Sequence, residues 1–325
     1  MSLSFSIASS ICPSPPVMSF DAKSRTNREF WNEHAESIYS QEWVRKLSGQ
    51  VADCLQSNID WIEIRRSPPP PPPPSASSSP PTSPVKLLDY ACGFGAVSTA
   101  LLEHADVIRG IDVSDYMVDA YNQLAAQLGA FPQRMSAVQG NVLDDEYYNG
   151  SSAAMNGPDL LDVDAVVMTM ALHHIQDPVA LLSKLVQRLR PGGVLVIIDW
   201  LAPGAQGASV EGVGAGLAHS STHLHVAHGH SHGHDIGDDH DHSHSHDHQH
   251  SHGSVHPQVH STITRDSFSE NELRDMFQAA GCDESSFALR PHIEPSLVPE
   301  HGSDIQGGVR RQLFIAKARK PASSS

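Results

Sequence analysis

"LLDYACGFGAVS", residues 87–98, runs from buried-type apolar residues into an acid and then into a turn carrying two glycines. A strand that ends this way and is followed by a helix places backbone N–H groups at a helix start, where nucleotide-like ligands bind in open α/β sheets. The rest of the chain decides whether this stretch is the first strand of such a sheet.

Outward from it, strand and helix patterns alternate. "VKLLDYA" (85–91) reads as a strand, "AVSTALLEHA" (96–105) as a helix, and "DVIRGIDV" (106–113) as a second strand. "SDYMVDAYNQLAAQL" (114–128) is a helix with Ser114 placed to cap it, "MSAVQGNV" (135–142) a third strand and "VDAVVMTM" (163–170) a fourth. In "DPVALLSKLVQRLR" (177–190) Asp177 caps a helix with Pro178 in its first turn; "PGG" stops it and "VLVIIDW" (194–200) makes a fifth strand. Further on, Ser269 and Glu272 form a capping box in "SFSENELRDMFQAAG" (267–281), with Gly281 at the helix exit, and "SSFALRP" and "RRQLFIAKAR" supply two more strands. This alternation predicts an open, mostly parallel sheet covered on both faces.

The flanks read differently. Residues 1–20 carry no basic residue and are expected to be disordered; they make a poor signal peptide and, for want of arginine, a poor transit peptide. Residues 21–66 read as a helical cap, with Leu47, Val51, Leu55, Ile59 and Ile62 on one apolar stripe. Residues 67–84 are a Pro/Ser-rich linker, read as a spacer in preference to a ligand for an SH3- or WW-type module. Residues 202–260 form a Gly/His-rich insert expected to be disordered, and 320–325 a disordered tail. The α/β unit is then 85–200 plus 262–319.

Bulk properties narrow the partners. A formal net charge of −16 over 325 residues argues against nucleic acid or an anionic membrane surface. Cys12, Cys54, Cys92 and Cys282 form no C-x-x-C pair, which fits a reducing compartment, and no apolar run reaches the length of a membrane span. Cytoplasmic residence is the expectation. The insert holds 16 of the 22 histidines, between His219 and His260. It is too repetitive to define a fixed metal site and is expected to bind divalent metal only loosely.

The ligand of the first loop is approached by elimination. No Gly-Lys-Ser/Thr follows Gly95, so a P-loop is excluded. Gly93-x-Gly95 is compatible with a dinucleotide, but Ser98 stands at the third glycine position. A carboxylate at Asp89 about 4 Å from a pyrophosphate would cost on the order of 4 kcal/mol per charge pair. Beside the ammonium or sulfonium of S-adenosylmethionine it would be favourable. The alternative for Asp89 is that it ties down the loop through hydrogen bonds to its backbone. Asp112, at the end of the second strand, suits ribose hydroxyls in either cofactor. Met117 faces the adenine or is plain core, and at Asn141 and Val142 an amide side chain and a backbone N–H are placed to read the adenine edge.

"LDYACGFG", "GIDVSDYMV", "GNVLD", "ALHHIQDP" and "LRPGGVLVIID" stand in the order and spacing of class I S-adenosylmethionine-dependent methyltransferases. The chain most resembles the small-molecule group that includes ubiquinone/menaquinone C-methyltransferases and related fungal enzymes. "REFWNEHAESIYSQEW" (28–43) resembles the amino-terminal helix that closes over the cofactor in that group. The resemblance implies a Rossmann-like doubly wound sheet of seven strands, the last antiparallel. It places Asp89, Gly93 and Gly95 around the methionine part, Asp112 at the ribose, Met117, Asn141 and Val142 near the adenine, and Tyr39 over the cofactor carboxylate. Ala91 departs from the glycine that many members carry, and alanine disfavours positive φ.

The activity expected is methyl transfer from S-adenosyl-L-methionine to a small-molecule acceptor. His173 and His174, after the fourth strand, serve as base or orienting group, or shape the pocket by hydrogen bonding to backbone. The rival readings are an NAD-dependent oxidoreductase and a non-catalytic metal-binding protein on the same fold.

Overall fold

The computed structural model describes residues 20–64, 83–143, 157–204, 259–299 and 308–322, all within one folded unit. The expectations for the N-terminal stretch, the proline linker and the histidine tract fall on residues outside these. Three helices come first: α1 (Phe20–Tyr39), α2 (Glu42–Ser57) and α3 (Ile59–Ile62). The sheet unit follows as β1 (Lys86–Tyr90), α4 (Ala96–Ala100), β2 (Val107–Asp112), α5 (Asp115–Gln127), β3 (Met135–Gln139), β4 (Val163–Thr169), α6 (Pro178–Arg188) and β5 (Leu189–Leu201). It closes with α7 (Val259–Thr262), α8 (Glu270–Ala279), β6 (Asp283–Pro291), β7 (Ser296–Val298) and β8 (Val309–Arg319).

The strand order is β3-β2-β1-β4-β5-β8-β6, parallel through β5, with β8 antiparallel to both β5 and β6. This is the expected doubly wound sheet with its antiparallel strand, plus a short β7 whose Ser296, Leu297 and Val298 pair antiparallel with Arg311, Arg310 and Val309 at the start of β8. Side chains alternate between two apolar layers along each central strand. Leu88, Val166, Met168, Leu195 and Ile197 face α6 and α8, while Leu87, Ala165, Val167, Val194 and Val196 face α2 and α4. Burying both faces explains the unbroken apolar runs, each side chain contributing about 1.5–3 kcal/mol.

Several boundaries differ from the sequence reading, each for a local reason. The cap is three helices: a turn at Ser40 separates the first two, and Asn58, whose Nδ2 donates to the Cys54 carbonyl at 2.8 Å, ends the second. The stripe still packs as expected, with Val51, Leu55 and Ile62 buried and Leu47 and Ile59 at its margin. The helix expected over 96–105 stops at Ala100 and gives way to turns. "PGG" does not separate α6 from β5. The strand starts at Leu189, and Gly192, at φ 75°, lies in a register irregularity between the Val163–Leu189 and Ala165–Val194 pairs. The caps by Ser114, Asp177 and the Ser269–Glu272 box are present.

Candidate functional site

The carboxyl ends of β1, β2, β3 and β4 meet beneath α1. After β1 the chain turns sharply: Ala91, Gly93 and Gly95 have φ of 57°, 49° and 85°, and the Gly95 N–H donates to the Cys92 carbonyl at 2.9 Å. A Cβ on Gly93 would stand 3.0 Å from the Tyr39 hydroxyl, and one on Gly95 would stand 3.0 Å from the Tyr121 ring. Ala91 holds a left-handed conformation despite its methyl group, at a cost of about 1–2 kcal/mol. The loop thus keeps a glycine-like geometry at Ala91 and carries the strain.

Asp112 staples this turn. Its Oδ2 accepts the Gly93 N–H at 2.9 Å and its Oδ1 accepts the Ser114 N–H at 2.9 Å. Each oxygen keeps a further lone-pair direction for a ligand hydroxyl. Behind the loop, the Tyr121 hydroxyl donates to Ser98 Oγ at 2.7 Å and Ser98 Oγ donates to Asp89 Oδ2 at 2.7 Å. Asp89 Oδ1 is buried with no partner. Burial pushes the Asp89 carboxyl up to about 8 against the opposing Ser98 bonds. It pushes Asp112 up to about 6 against the N–H groups of Ser114 and Gly93. At neutral pH Asp112 is then ionised while Asp89 keeps its proton, so the charge at this end of the site is that of Asp112, which favours a positive group beside it.

Tyr39, Ala91, Gly93, Asp112, Met117 and Asn141 line one cavity of about 200 Å³, with His174 on another wall. Asp89, Gly95, Val142 and His173 do not line it. Asp89 stands behind the turn with Ser98, Gly95 admits the Tyr121 ring, Val142 belongs to the apolar core, and His173 turns to Asp199. Asn141 reaches the wall with its amide already engaged. Its Oδ1 accepts the Tyr90 hydroxyl and the Leu143 N–H, each at 3.0 Å, and its Nδ2 donates to Ser24 Oγ at 2.9 Å. Met117 is buried and lines the cavity, so it is core and wall at once. Tyr39 packs on Phe94 with ring centroids 4.6 Å apart.

Helix α1 roofs the cavity and is tied to the strand ends by polar contacts. Arg28 pairs with Asp115 at 2.7 Å, and Asn32 Oδ1 accepts the Ser114 hydroxyl at 2.7 Å. The roof contributes Ser24, Asn27 and Trp31, which sequence reasoning did not single out; Asn27 Oδ1 is buried with no partner. Such contributors carry no pattern of their own, because an amphipathic helix shows its apolar face without showing what it faces.

The two histidines differ sharply. Asp199, fully buried at the end of β5, accepts from the ring of His173 (Nδ1–Oδ1, 2.8 Å) and from the backbone N–H of His173 (3.2 Å) and Trp200 (2.8 Å). A carboxylate facing Nδ1 fixes the proton there and leaves the lone pair on Nε2. The His173 carbonyl accepts the N–H groups of Thr264 at 2.9 Å and Arg265 at 3.2 Å, so the segment after α7 holds the loop from outside. His174 stacks on His173 at 4.1 Å and meets Trp31 edge-on at 5.8 Å. Burial, and then the neighbouring His173, hold His174 well below its usual range, and its Nδ1 has no partner. Sequence reasoning did not single out Asp199, although an acid closing the apolar run "VLVIID" is the same signal as Asp89 and Asp112.

Both histidines also border a second, larger cavity of about 580 Å³, which shares Trp31, Tyr39, Val44, Leu47, Met170 and His174 with the first. Met170, between the two, has φ 52°. Strained backbone of this kind clusters at functional sites.

A sheet of this order, with an acid closing each of its first two strands over a glycine turn and a helix roofing the strand ends, is that of the class I S-adenosylmethionine-dependent methyltransferases. Residues 88–195 match the family model described as a methyltransferase domain. Among curated proteins, an uncharacterized methyltransferase of Schizosaccharomyces pombe is 37% identical over 122 residues, covering 38% of this chain and 41% of that one. The sterol 24-C-methyltransferase of Aspergillus fumigatus is 25% identical over 118 residues, covering 36% and 28%. The chain therefore spans about two fifths or less of the length of these relatives. Among solved structures, magnesium protoporphyrin IX methyltransferase of Synechocystis with bound S-adenosylmethionine has 12% identity and a TM-score of 0.47, covering 92% of this chain and 97% of that one. The YcgJ protein of Bacillus subtilis has 13% and 0.43, covering 74% and 93%.

Proposed function

We propose that the protein transfers a methyl group from S-adenosylmethionine to a small-molecule acceptor. The observation that carries this reading is Asp112, a buried acid at the wall of a roofed cavity that staples the β1 turn, with a second buried acid, Asp89, behind the same turn. A pyrophosphate would meet repulsion there; a ligand with an ammonium and a sulfonium would not. Asp112 would take the ribose hydroxyls, the backbone around Ala91 and Gly93 the amino-acid end, and Met117 the adenine face. Asp89 acts through the turn it holds with Ser98.

When bound, this cofactor supplies a methyl group on a good leaving group, so the protein's task is mainly alignment. Trp31, Tyr39 and Met170 stand where the two cavities join and would exclude water from that junction. His173, oriented by Asp199, would hold the proton that an acceptor hydroxyl gives up, and His174, kept neutral by burial, would pack the passage.

On this reading 21–66 is the cap, and 85–200 with 262–319 the methyltransferase body. The net charge of −16 supports a small acceptor over nucleic acid, and four cysteines without a C-x-x-C pair agree with cytoplasmic residence. Among the described residues no helix is long and apolar enough to cross a membrane. The test is calorimetric titration of metal-stripped protein with S-adenosylhomocysteine and, separately, NADH. Saturable binding of the first, lost in Asp112→Ala, is expected. Binding of NADH alone would replace the reading by an oxidoreductase, and silence with both by a non-enzymatic role for the histidine tract.

A further inference from the structure

The larger cavity has a wall chemistry specific enough to name what fits it. Its described lining is aromatic and aliphatic: Trp31 and Ile38 from α1, Trp43 and Leu47 from α2, Trp200 from β5, and Val298 from β7. A volume of about 580 Å³ is that of a ligand site, far beyond a packing defect. Indole walls from three separate elements suit a flat apolar ring system, which stacks or meets them edge-on.

The polar groups on that wall are few and mostly engaged. Arg311 lies over the Trp200 ring, 4.7 Å from its centroid, and donates to the Asp266 carbonyl. Burial lowers the Arg311 pKa, and Asp266 and Asp199 act against that shift; its guanidinium is already engaged by the Trp200 face and the Asp266 carbonyl. His173 is different. Its Nδ1 is held by Asp199 at 2.8 Å, which leaves Nε2, on a ring that borders the cavity, as an acceptor. Asp199 is itself fixed by two backbone N–H groups, so the tautomer is set by the fold and does not adapt to the ligand.

We infer that this cavity binds an uncharged, ring-bearing molecule of the phenol or aryl alcohol type, whose hydroxyl donates a hydrogen bond to His173 Nε2. The inference names the acceptor class of the proposed methyltransferase and rests on that reading for its biological meaning. The binding itself does not require the cofactor. Asp199 is a positioning residue, acting through His173.

The test is equilibrium dialysis of the full-length protein, without cofactor, against 2-naphthol and 2-methoxynaphthalene. The two differ in whether they can donate. Wild type is expected to prefer the naphthol by about tenfold, the worth of one hydrogen bond. His173→Asn keeps a donor toward Asp199 but has no second nitrogen, and should bind both probes alike. Asp199→Asn offers its amide to Nδ1, moves the proton to Nε2 and should remove or invert the preference. Trp43→Ala should weaken both probes in parallel. Thermal melts of each variant identify any that fail to fold; His173→Asn is then replaced by His173→Phe, which keeps a ring and has no acceptor.

Equal binding of the two probes by wild type, no binding of either, or a preference that survives at His173→Asn would overturn the inference. Donor preference at His173 together with no binding of S-adenosylhomocysteine would leave the chamber assignment standing and sink the methyltransferase reading. The converse pattern would do the opposite.

Discussion

Arg28 crosses from α1 to Asp115 at the start of α5, with Nη2 and Nε 2.7 and 3.0 Å from the same carboxylate oxygen. The pair is half exposed and contributes no more than about 1 kcal/mol to stability. Its importance is its place, since it pins the roof of the first cavity to the element that follows the Asp112 strand. Arg28→Ala should leave the melting temperature nearly unchanged while releasing S-adenosylhomocysteine several-fold faster in stopped-flow measurements. A large loss of stability with unchanged release would assign the pair to folding alone.

Asp112 holds two backbone N–H groups at the floor of the same cavity. Asp112→Ala leaves both donors buried and unmatched, at a cost of about 1–3 kcal/mol each. Calorimetry should then show cofactor-analogue binding weakened at least a hundredfold, and chemical denaturation a lowered midpoint. Asp112→Asn, which keeps one acceptor, should fall between.

The two buried acids give the free protein a characteristic pH response. Asp89 and Asp112 ionise near 3.8 when unfolded, but near about 8 and about 6 when folded. Between pH 4 and 8 the folded state therefore binds more protons than the unfolded state, and these two groups make stability fall as pH rises through that window. Asp89→Asn should flatten the upper part of the decline and melt above wild type at pH 8, by on the order of 2 kcal/mol. The same variant should bind S-adenosylhomocysteine, which retains the ammonium, more weakly than wild type. A variant less stable than wild type at every pH would mean that Asp89 is held as an anion by its surroundings.

Ala91 and Gly93 share a positive φ, 57° and 49°, but only one of them has a side chain. Ala91→Gly relieves about 1–2 kcal/mol of strain and gives back about 0.5–1 kcal/mol in chain entropy, so it should be neutral to slightly stabilising. Gly93→Ala adds strain and drives a methyl group to 3.0 Å from the Tyr39 hydroxyl. It should cost more than 1 kcal/mol in urea denaturation and weaken analogue binding. Equal effects of the two exchanges would show that the turn is not under strain.

Ser98 relays between Tyr121 and Asp89, each at 2.7 Å, and all three are buried. Ser98→Ala leaves a phenol and a carboxyl unmatched and should cost about 2 kcal/mol or more. Tyr121→Phe combined with Ser98→Ala should cost less than the sum of the two, the coupling being read from a double-mutant cycle.

The sheet, its strand ends and its helix caps were legible because they rest on short-range physics. Apolar runs of strand length must be buried on both faces, and Ser114, Asp177 and Ser269 satisfy helix-end N–H groups within four residues of themselves. The acid-and-glycine turn after β1 was legible for the same reason. Residues 40–41 and 189–193 were misjudged because a helix break and a strand irregularity depend on what packs against them.

The sequence by itself determined the architecture and the floor of the site: β1 through β5, the turn at 91–95, and the acids at 89 and 112. Only the tertiary structure decided what each floor residue does. It turned Asp89 and Gly95 away from the cavity, tied the Asn141 amide to Ser24, and set Asp199 behind His173, separated by 26 positions in the chain. Periodicity and capping report interactions between neighbours in sequence. The roof, the second cavity and the tautomer of His173 are made by contacts between distant segments, which no local pattern encodes.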